Sequence, residues 1–188
     1  MKKFDIIKTE RLILRPLCMD DLYTVHERCS DAEAMKYVNT PHTDLSQTIE
    51  YLEWVVKEWQ SDHQKYYGFG ITLDDNLIGE IGFSNGCGKC GRCVEGEASI
   101  GCWIDKNFHD CDYEKEAVKA IIEYCFSALG ADTIKMSCDI ESLAEIHMIE
   151  SFGMQLKTEN EDCEYSDGKP FKRNTYYLSK SDYREILI

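Results

Sequence analysis

The sequence predicts a single domain of mixed α/β class, with helices packed on a sheet of about seven strands. Its 188 residues fall within the usual size of one domain. Hydrophobic residues make up 43% of the chain, which is enough for a core and excludes disordered and fibrous classes. Runs with the period of a strand are interleaved with runs with the period of a helix, which favours an α/β fold. Residues 1–188 are therefore expected to form one domain.

The first half of the chain predicts a strand, two helices and a hairpin. The elements are a strand at 11–15, helices that begin near 21 and 44, and strands at 67–73 and 77–83. Pro16 follows the first strand and ends it. Asp44 and Gln47 have the spacing of a capping box, which marks the start of the second helix. The polar triplet 74–76 separates the last two strands and predicts the turn between them.

The second half predicts a helix-linked pair of neighbouring strands and a closing pair. The elements are a loop at 84–96, a strand at 98–104, a polar connection at 105–112, a helix at 113–129, a strand at 133–138, a helix at 143–151, and strands at 154–158 and 174–179. Gly130 and Gly153 follow the two helices, where glycine commonly ends a helix. The long helix between 98–104 and 133–138 has the length of a crossover between parallel strands.

The charge balance limits the classes of partner that we expect the protein to bind. Asp and Glu number 35 against 21 Lys and Arg, which gives a formal net charge of −14. Nucleic-acid binding depends on phosphate neutralisation by Lys and Arg, so we expect no nucleic-acid partner, whereas cationic amines are attracted. No apolar run approaches the ~20 residues that span a bilayer, so we expect no membrane partner. The start of the chain lacks the features of a secretory signal, which predicts a cytoplasmic protein.

Six stretches follow one another along the chain in a recognisable order. They are TERLILRPL at 9–17, LIGEIG at 77–82, IGCWID at 100–105, the helix at 113–129 with Gly130, the segment 139–153, and YYL at 176–178. Together they resemble the GNAT superfamily of acyl-CoA-dependent N-acyltransferases, in the branch of ribosomal-protein N-terminal acetyltransferases. The resemblance implies the GNAT fold, in which two central strands splay apart. It also implies acetyl transfer from acetyl-CoA to a primary amine of a peptide or small molecule. We expect the protein to be a monomer or homodimer.

The resemblance also implies where the coenzyme binds. In that family the pantetheine arm pairs with the fourth strand, and the pyrophosphate binds at the start of the central helix. Free N–H groups and the helix dipole favour an anion there. The residues of this chain that match the family's cofactor site are Cys102, Trp103, Ile104, Asp110, Cys111, Asp112, Tyr113, Glu114 and Ser142.

Several matching positions differ from the family's pattern. Asp110 and Asp112 stand where the pyrophosphate loop of the family has glycines. Their charge would repel a diphosphate, and we expect the aspartate Cβ to bar backbone conformations that glycine permits. The alternative is that both aspartates cap the following helix, which aspartate does well. Ser142 and Ile149 replace an asparagine and a tyrosine of the family's last helical motif, so weak or absent CoA binding is expected.

The catalytic candidates lie on the third and fourth predicted strands. The family often has a glutamate where this chain has Ser99, so the proton of the attacking amine needs another acceptor. Glu97 lies ~6.6 Å away on the same strand face and could act through a water, and Glu80 is the next candidate. The alternative for both glutamates is a solvated strand carboxylate. Cys102 has the opposite strand parity and is expected in the core. The tryptophans expected there as well are Trp54, Trp59 and Trp103.

A cluster of three cysteines, Cys87, Cys90 and Cys93, lies in the loop after the second strand of the hairpin. Two-residue spacing with interleaved glycines lets thiolates converge on one zinc ion, for which Cys163, a histidine or a neighbouring subunit would supply the fourth ligand. The alternative is a loop of reduced thiols. These features leave open a second function, in which a catalytically degenerate GNAT fold serves as a binding or regulatory module linked to metal or thiol chemistry.

Overall fold

The protein combines a large sheet with helices on both of its faces. The structure is a computed structural model and describes residues 6–85 and 96–186. In chain order the elements are β1 (Ile7–Lys8), β2 (Ile13–Pro16), α1 (Leu22–Ser30), α2 (Leu45–Gln60), β3 (Tyr66–Leu73), β4 (Asn76–Asn85), β5 (Glu97–Ile104), α3 (Tyr113–Ser127), β6 (Thr133–Asp139), α4 (Leu143–Ser151), β7 (Gln155–Glu164), β8 (Pro170–Ser179) and α5 (Lys180–Ile186). Short 3-10 helices precede α1 and α3.

The strands form one mixed sheet in the order β1-β2-β3-β4-β5-β6-β8-β7. All neighbours are antiparallel except β5 and β6, which run parallel because α3 connects them. The mixed α/β prediction is confirmed, with eight strands instead of about seven. The additional strand, β1, has only two residues, which is too short to leave a period in the sequence.

Local sequence signals located several boundaries correctly. Asp44 accepts a hydrogen bond from Ser46 N at 2.7 Å, and Gln47 Oε1 accepts one from Asp44 N at 3.2 Å, so the predicted capping box is present. In the β3–β4 hairpin, Asp74 and Asp75 adopt φ of 48° and 64°. They form the two-residue turn whose backbone twist matches that of the strands.

The closing hairpin is longer than its sequence predicted. Strands β7 and β8 each have ten residues, whereas the apolar pattern supported only 154–158 and 174–179. Nearly all residues of β7 are exposed, because β7 is the edge of the sheet. An edge strand without a buried face carries no alternation of apolar and polar residues, so periodicity could not detect its second half.

The two faces of the sheet are covered by different helices. Helix α2 lies on one face, where Trp54 stacks on Tyr66 with ring centroids 4.7 Å apart. Helix α3 lies on the opposite face, where the ring centroid of Tyr124 is 6.2 Å from that of Phe69 and 6.1 Å from that of Phe83. Within the described ranges, no helix combines the length and apolar character needed to cross a bilayer.

The two parallel strands separate halfway along their length. Glu97–Ile100 of β5 pairs with residues 133–136 of β6, and the pairing stops there. Beyond that point β5 continues to pair only with β4, and β6 only with β8. The sheet therefore opens into a cleft, which we call the splay, lined on one side by the backbone of residues 101–104. The predicted splay of central strands is confirmed.

Candidate functional site

The splay exposes strand backbone next to the start of a helix. Gly101 is exposed, and a Cβ at that position would meet nothing within 4 Å, so the backbone is accessible there. Cys102 and Trp103 are half-buried on opposite faces of β5, and Ile104 is buried. The chain then runs through the 3-10 helix Lys106–Cys111 into α3. The arrangement offers unpaired peptide groups and a helix N-terminus to one elongated ligand.

The geometry at the start of α3 contradicts two predictions about its aspartates, one on helix capping and one on the backbone conformation. Asp112 has φ 57° and ψ 13°, is exposed, and makes no side-chain capping hydrogen bond. The capping interpretation is therefore wrong for Asp112, whereas Asp105 caps the preceding 3-10 helix and accepts from Asn107 N at 2.8 Å. The expectation that a Cβ would bar the glycine conformation is also wrong, because aspartate tolerates the left-handed region. Asp110 lies in the 3-10 helix, but its side chain is outside the description.

Arg11 brings positive charge to the start of α3. Its Nε lies 2.7 Å from Glu116 Oε2, its Nη1 donates to Cys111 O at 2.9 Å, and its guanidinium lies 4.4 Å from the centre of the Tyr113 ring. Burial tends to raise the pKa of Glu116, but hydrogen bonds from Thr9 and Arg11 have the larger combined effect and lower it. The sequence assigned Arg11 no role, because nothing local indicates that it contacts a helix about 100 residues away.

Two glutamates approach Cys102 on the side of the sheet that carries α3 and α4. Burial, followed by the charges of Glu114 and Glu145, raises the pKa of the Cys102 thiol well above its ordinary value. Burial also raises the pKa of Glu114. Burial and the charge of Glu114 raise the pKa of Glu145 to about 7. A raised pKa disfavours the reactive thiolate of Cys102. Glu145 was missed because its neighbours come from other elements.

Ser142 and Ile149 lie on the same helix as Glu145. Ser142 occupies the N-cap position of α4 but makes no side-chain capping hydrogen bond. Ile149 is fully buried in the core. Its side chain supplies no polar group to the splay, so the position that the family often uses for a tyrosine has a packing role here.

Glu80 is the centre of a buried polar cluster beside α2. Only 5% of the residue is exposed, so its interpretation as a solvated carboxylate is wrong. It accepts hydrogen bonds from the hydroxyls of Tyr51 and Tyr66 and from Trp103 Nε1, the last at 3.2 Å. Burial raises its pKa, although these donors oppose that effect. Trp103 is half-buried and contributes a donor to this cluster, rather than lying in the core as its strand spacing suggested.

Glu97 and Ser99 lie next to the point where β5 and β6 separate. Glu97 is 7% exposed, so it too is not the solvated carboxylate that the sequence allowed. Its Oε1 lies 3.6 Å from Lys135 Nζ and has no hydrogen-bond partner. Ser99 is half-buried and is paired with Ser84 on β4 and with Lys135 on β6. The structure brings Glu97 and Ser99 together, while Glu80 lies beyond the separation point, opposite Trp103.

The tip of the β7–β8 hairpin contacts the connection between α1 and α2. Tyr165 Oη lies 3.1 Å from Lys36 O and 3.0 Å from Asp139 Oδ2, and Ser166 Oγ donates to Asn39 Oδ1 at 2.9 Å. These bonds join the end of β6 to the segment over the α1–α2 side of the sheet.

The predicted metal ligands Cys87, Cys90 and Cys93 lie outside the described residues. Across residues 6–85 and 96–186, no group of three or more His, Cys, Asp and Glu side chains could hold a metal ion. Cys163, the predicted fourth ligand, is a half-buried free cysteine of β7. The zinc site stays a prediction.

Comparisons with known proteins agree with this geometry. A profile of the acetyltransferase (GNAT) domain family matches residues 11–155. An uncharacterized N-acetyltransferase, p20 of Bacillus licheniformis, is 27% identical over 180 residues, covering 95% of this chain and 98% of the relative. RimL, a ribosomal L7/L12 alpha-N-protein acetyltransferase solved with coenzyme A, has a TM-score of 0.80 at 16% identity, covering 95% of this chain and 99% of that one. Spermidine N-acetyltransferase of Vibrio cholerae, solved with CoA and spermine, has a TM-score of 0.77 at 17% identity, covering 93% and 98%.

Proposed function

The chain belongs to the acetyltransferase (GNAT) domain family, and on that premise we propose that it transfers an acetyl group from acetyl-CoA to a primary amine. The observation that carries the proposal is the splay, where β5 leaves the backbone of residues 101–104 unpaired beside the start of α3. A neutral amide-containing arm can pair with such a strand. Solved structures of similar fold contain CoA, which supports this use of the splay.

The residues of the splay favour the uncharged arm of acetyl-CoA more than its phosphates. Open space at Gly101 and the unpaired strand fit the uncharged arm. The helix N-terminus and Arg11 favour the phosphates, whereas Asp112 and Glu114 oppose them through charge. We therefore expect binding that is weaker than a glycine-rich loop would give. When bound, acetyl-CoA supplies the thioester carbonyl that the amine attacks.

We assign the acceptance of the amine's proton to Glu97, acting through a water near Ser99. Its buried Oε1 lies 3.6 Å from Lys135 Nζ and has no hydrogen-bond partner, so it can accept a hydrogen bond from a water. The oxygens of Glu80 already accept from Tyr51, Tyr66 and Trp103, so we assign it a role in holding these side chains together. A positioned carboxylate of this kind typically contributes ~10²–10⁴-fold to a rate.

The acceptor is a primary amine of a peptide or of a small molecule. The net charge of −14 attracts ammonium groups over a distance and is compatible with either acceptor. The names of the two CoA-bound neighbours support one acceptor type each, a ribosomal protein and spermidine.

The proposal is tested by calorimetry with acetyl-CoA and by chromatographic detection of CoA released in the presence of amines. Saturation at ~100 times the dissociation constant should stabilise the fold by ~2.7 kcal/mol. Glu97→Gln should lower kcat by ~10²-fold or more and leave acetyl-CoA binding unchanged. Glu159→Gln on the exposed edge strand is the matched control. If millimolar acetyl-CoA shows no binding and supports no acetylation, the proposal is refuted.

A further inference from the structure

Lys135 places an amine of the protein itself beside the carboxylate that we assign as proton acceptor. Its Nζ lies 3.6 Å from Glu97 Oε1, in an ion pair whose side chains are 13% and 9% exposed. That oxygen accepts no hydrogen bond. A lysine is seldom buried this deeply without a partner, and here the partner is the group proposed to take a proton from an amine.

The position of Lys135 on β6 brings this amine to the opening of the splay. Lys135 is paired with Ser99 of β5, one residue before the last pair of the two strands, Ile100 and Met136. The separation point is therefore only ~3.3 Å further along the strand. Rotation of the flexible four-carbon stem can carry Nζ over that distance. The acetyl thioester reaches the same point if its arm pairs with residues 101–104, as proposed above.

An open cavity beside Lys135 gives the side chain room to move. The cavity has a volume of about 370 Å³, and Thr133 and Tyr177 contribute to its lining. Thr133 lies two residues before Lys135 on the same strand face, and Tyr177 is the partner of Lys135 on β8. The side chain can therefore leave the ion pair without entering the core, and an acetylated lysine can be accommodated there.

We propose that Lys135 is a self-acetylation site, at which the protein transfers the acetyl group of acetyl-CoA to its own Nζ. This inference rests on the proposed function. The ammonium group first gives a proton to Glu97, and the neutral amine then attacks the thioester carbonyl. A C–N bond forms, the C–S bond breaks, and the leaving CoA thiolate takes a second proton from the amine, while Glu97 releases its proton to solvent. The product is an uncharged acetyl-lysine, so the reaction also removes the ion pair with Glu97.

The fold makes Lys135 the favoured acceptor when no other amine is present. Its amine is held next to the proton acceptor, so the transfer is intramolecular and gains the advantage of proximity. An exposed lysine such as Lys157 of β7 is accessible to a second protein molecule, whereas Lys135 is nearly enclosed by its own chain. The rate of modification per molecule should therefore not depend on the protein concentration.

Mass spectrometry of the intact protein and of its peptides provides the first test. Protein incubated with acetyl-CoA and no added amine should gain one acetyl group, located at Lys135, at a rate that dilution of the protein leaves unchanged. Lys135→Arg, which keeps the charge, should abolish this modification, and Glu97→Gln should slow it by ~10²-fold or more. Lys157→Arg is the matched control and should leave it unchanged. Acetyl groups spread over the exposed lysines, in the same pattern as in urea-unfolded protein, would overturn the proposal.

A second set of reactions separates failure of this inference from failure of the proposed function. Acetylation of an added amine, with Lys135 unmodified both in its presence and in its absence, would refute the inference and keep the enzyme. If acetyl-CoA neither binds nor reacts, the proposed function is refuted, and the small thioester S-acetyl-N-acetylcysteamine, which has no nucleotide, then tests Lys135. Labelling of Lys135 ahead of the exposed lysines, and dependent on Glu97, would retain the inference. Labelling that Glu97→Gln leaves unchanged would overturn it.

Discussion

Glu145 predicts a specific pH dependence of stability. Its pKa is raised from the ordinary value of 4.5 to about 7 by burial and by Glu114. The folded protein therefore binds this proton more tightly than the unfolded chain, and the free energy of unfolding falls as pH rises from ~4.5 through ~7. One pKa unit corresponds to ~1.4 kcal/mol. The decrease in the free energy of unfolding caused by ionised Glu145 therefore reaches about 3 kcal/mol at pH 8 and is below ~1 kcal/mol at pH 5. This is an upper bound, because Glu145 is only half-buried.

Glu145→Gln removes that titration with almost no change in shape. Urea unfolding should show the variant to be more stable than the unmodified protein by up to about 3 kcal/mol at pH 8, with a difference below ~1 kcal/mol at pH 5. Glu150→Gln, an exposed position of the same helix, should follow the unmodified protein at both values. Parallel pH profiles for Glu145→Gln and the unmodified protein would show that the carboxyl is not desolvated and would refute the reasoning.

Further outcomes concern glycines and loop charge. Gly82→Ala should lower the free energy of unfolding measured in urea by about 1–3 kcal/mol, because the added Cβ overlaps Tyr66 Oη. Gly101→Ala, whose Cβ enters open space, should leave that free energy almost unchanged. Similar values for both variants would contradict the packing argument. Asp112→Gly and Asp112→Asn should each tighten acetyl-CoA binding in calorimetry, since both remove a charge from the start of α3; unchanged affinity in both would show that this charge does not oppose binding. Metal analysis of anaerobically purified protein should find about one equivalent of zinc if the three-cysteine cluster binds it, and a content far below that would remove the prediction.

The elements that sequence reasoning located correctly depend on interactions within a few residues. The capping box of α2 involves Asp44 and Gln47, which are neighbours on the first turn. Gly130 follows α3 with φ 70°, as a glycine stop requires. The parallel neighbours β5 and β6 follow from the length of the helix between them. Short-range patterns of this kind are properties of the chain before it packs.

The elements that were missed or shortened lack such local signals. Strand β1 has two residues, and the second half of β7 is polar because it lies at an edge. Arg11 and Glu116 are 105 positions apart, so no local pattern connects them. Their contact exists because β2 and the start of α3 approach each other in the fold.

The sequence by itself determined the fold class, most of the helices and strands, and the family whose motifs it carries, because periodicity, caps and glycine stops are local. Only the tertiary structure decided what the carboxylates do. In sequence, Glu80, Glu97 and Glu145 are each compatible with an exposed surface residue. Packing places Glu80 among aromatic donors, leaves one oxygen of Glu97 buried beside Lys135 without a hydrogen bond, and places Glu145 near Glu114. Desolvation and distant partners set the charge of a carboxyl group, and both come into existence only when separate elements meet.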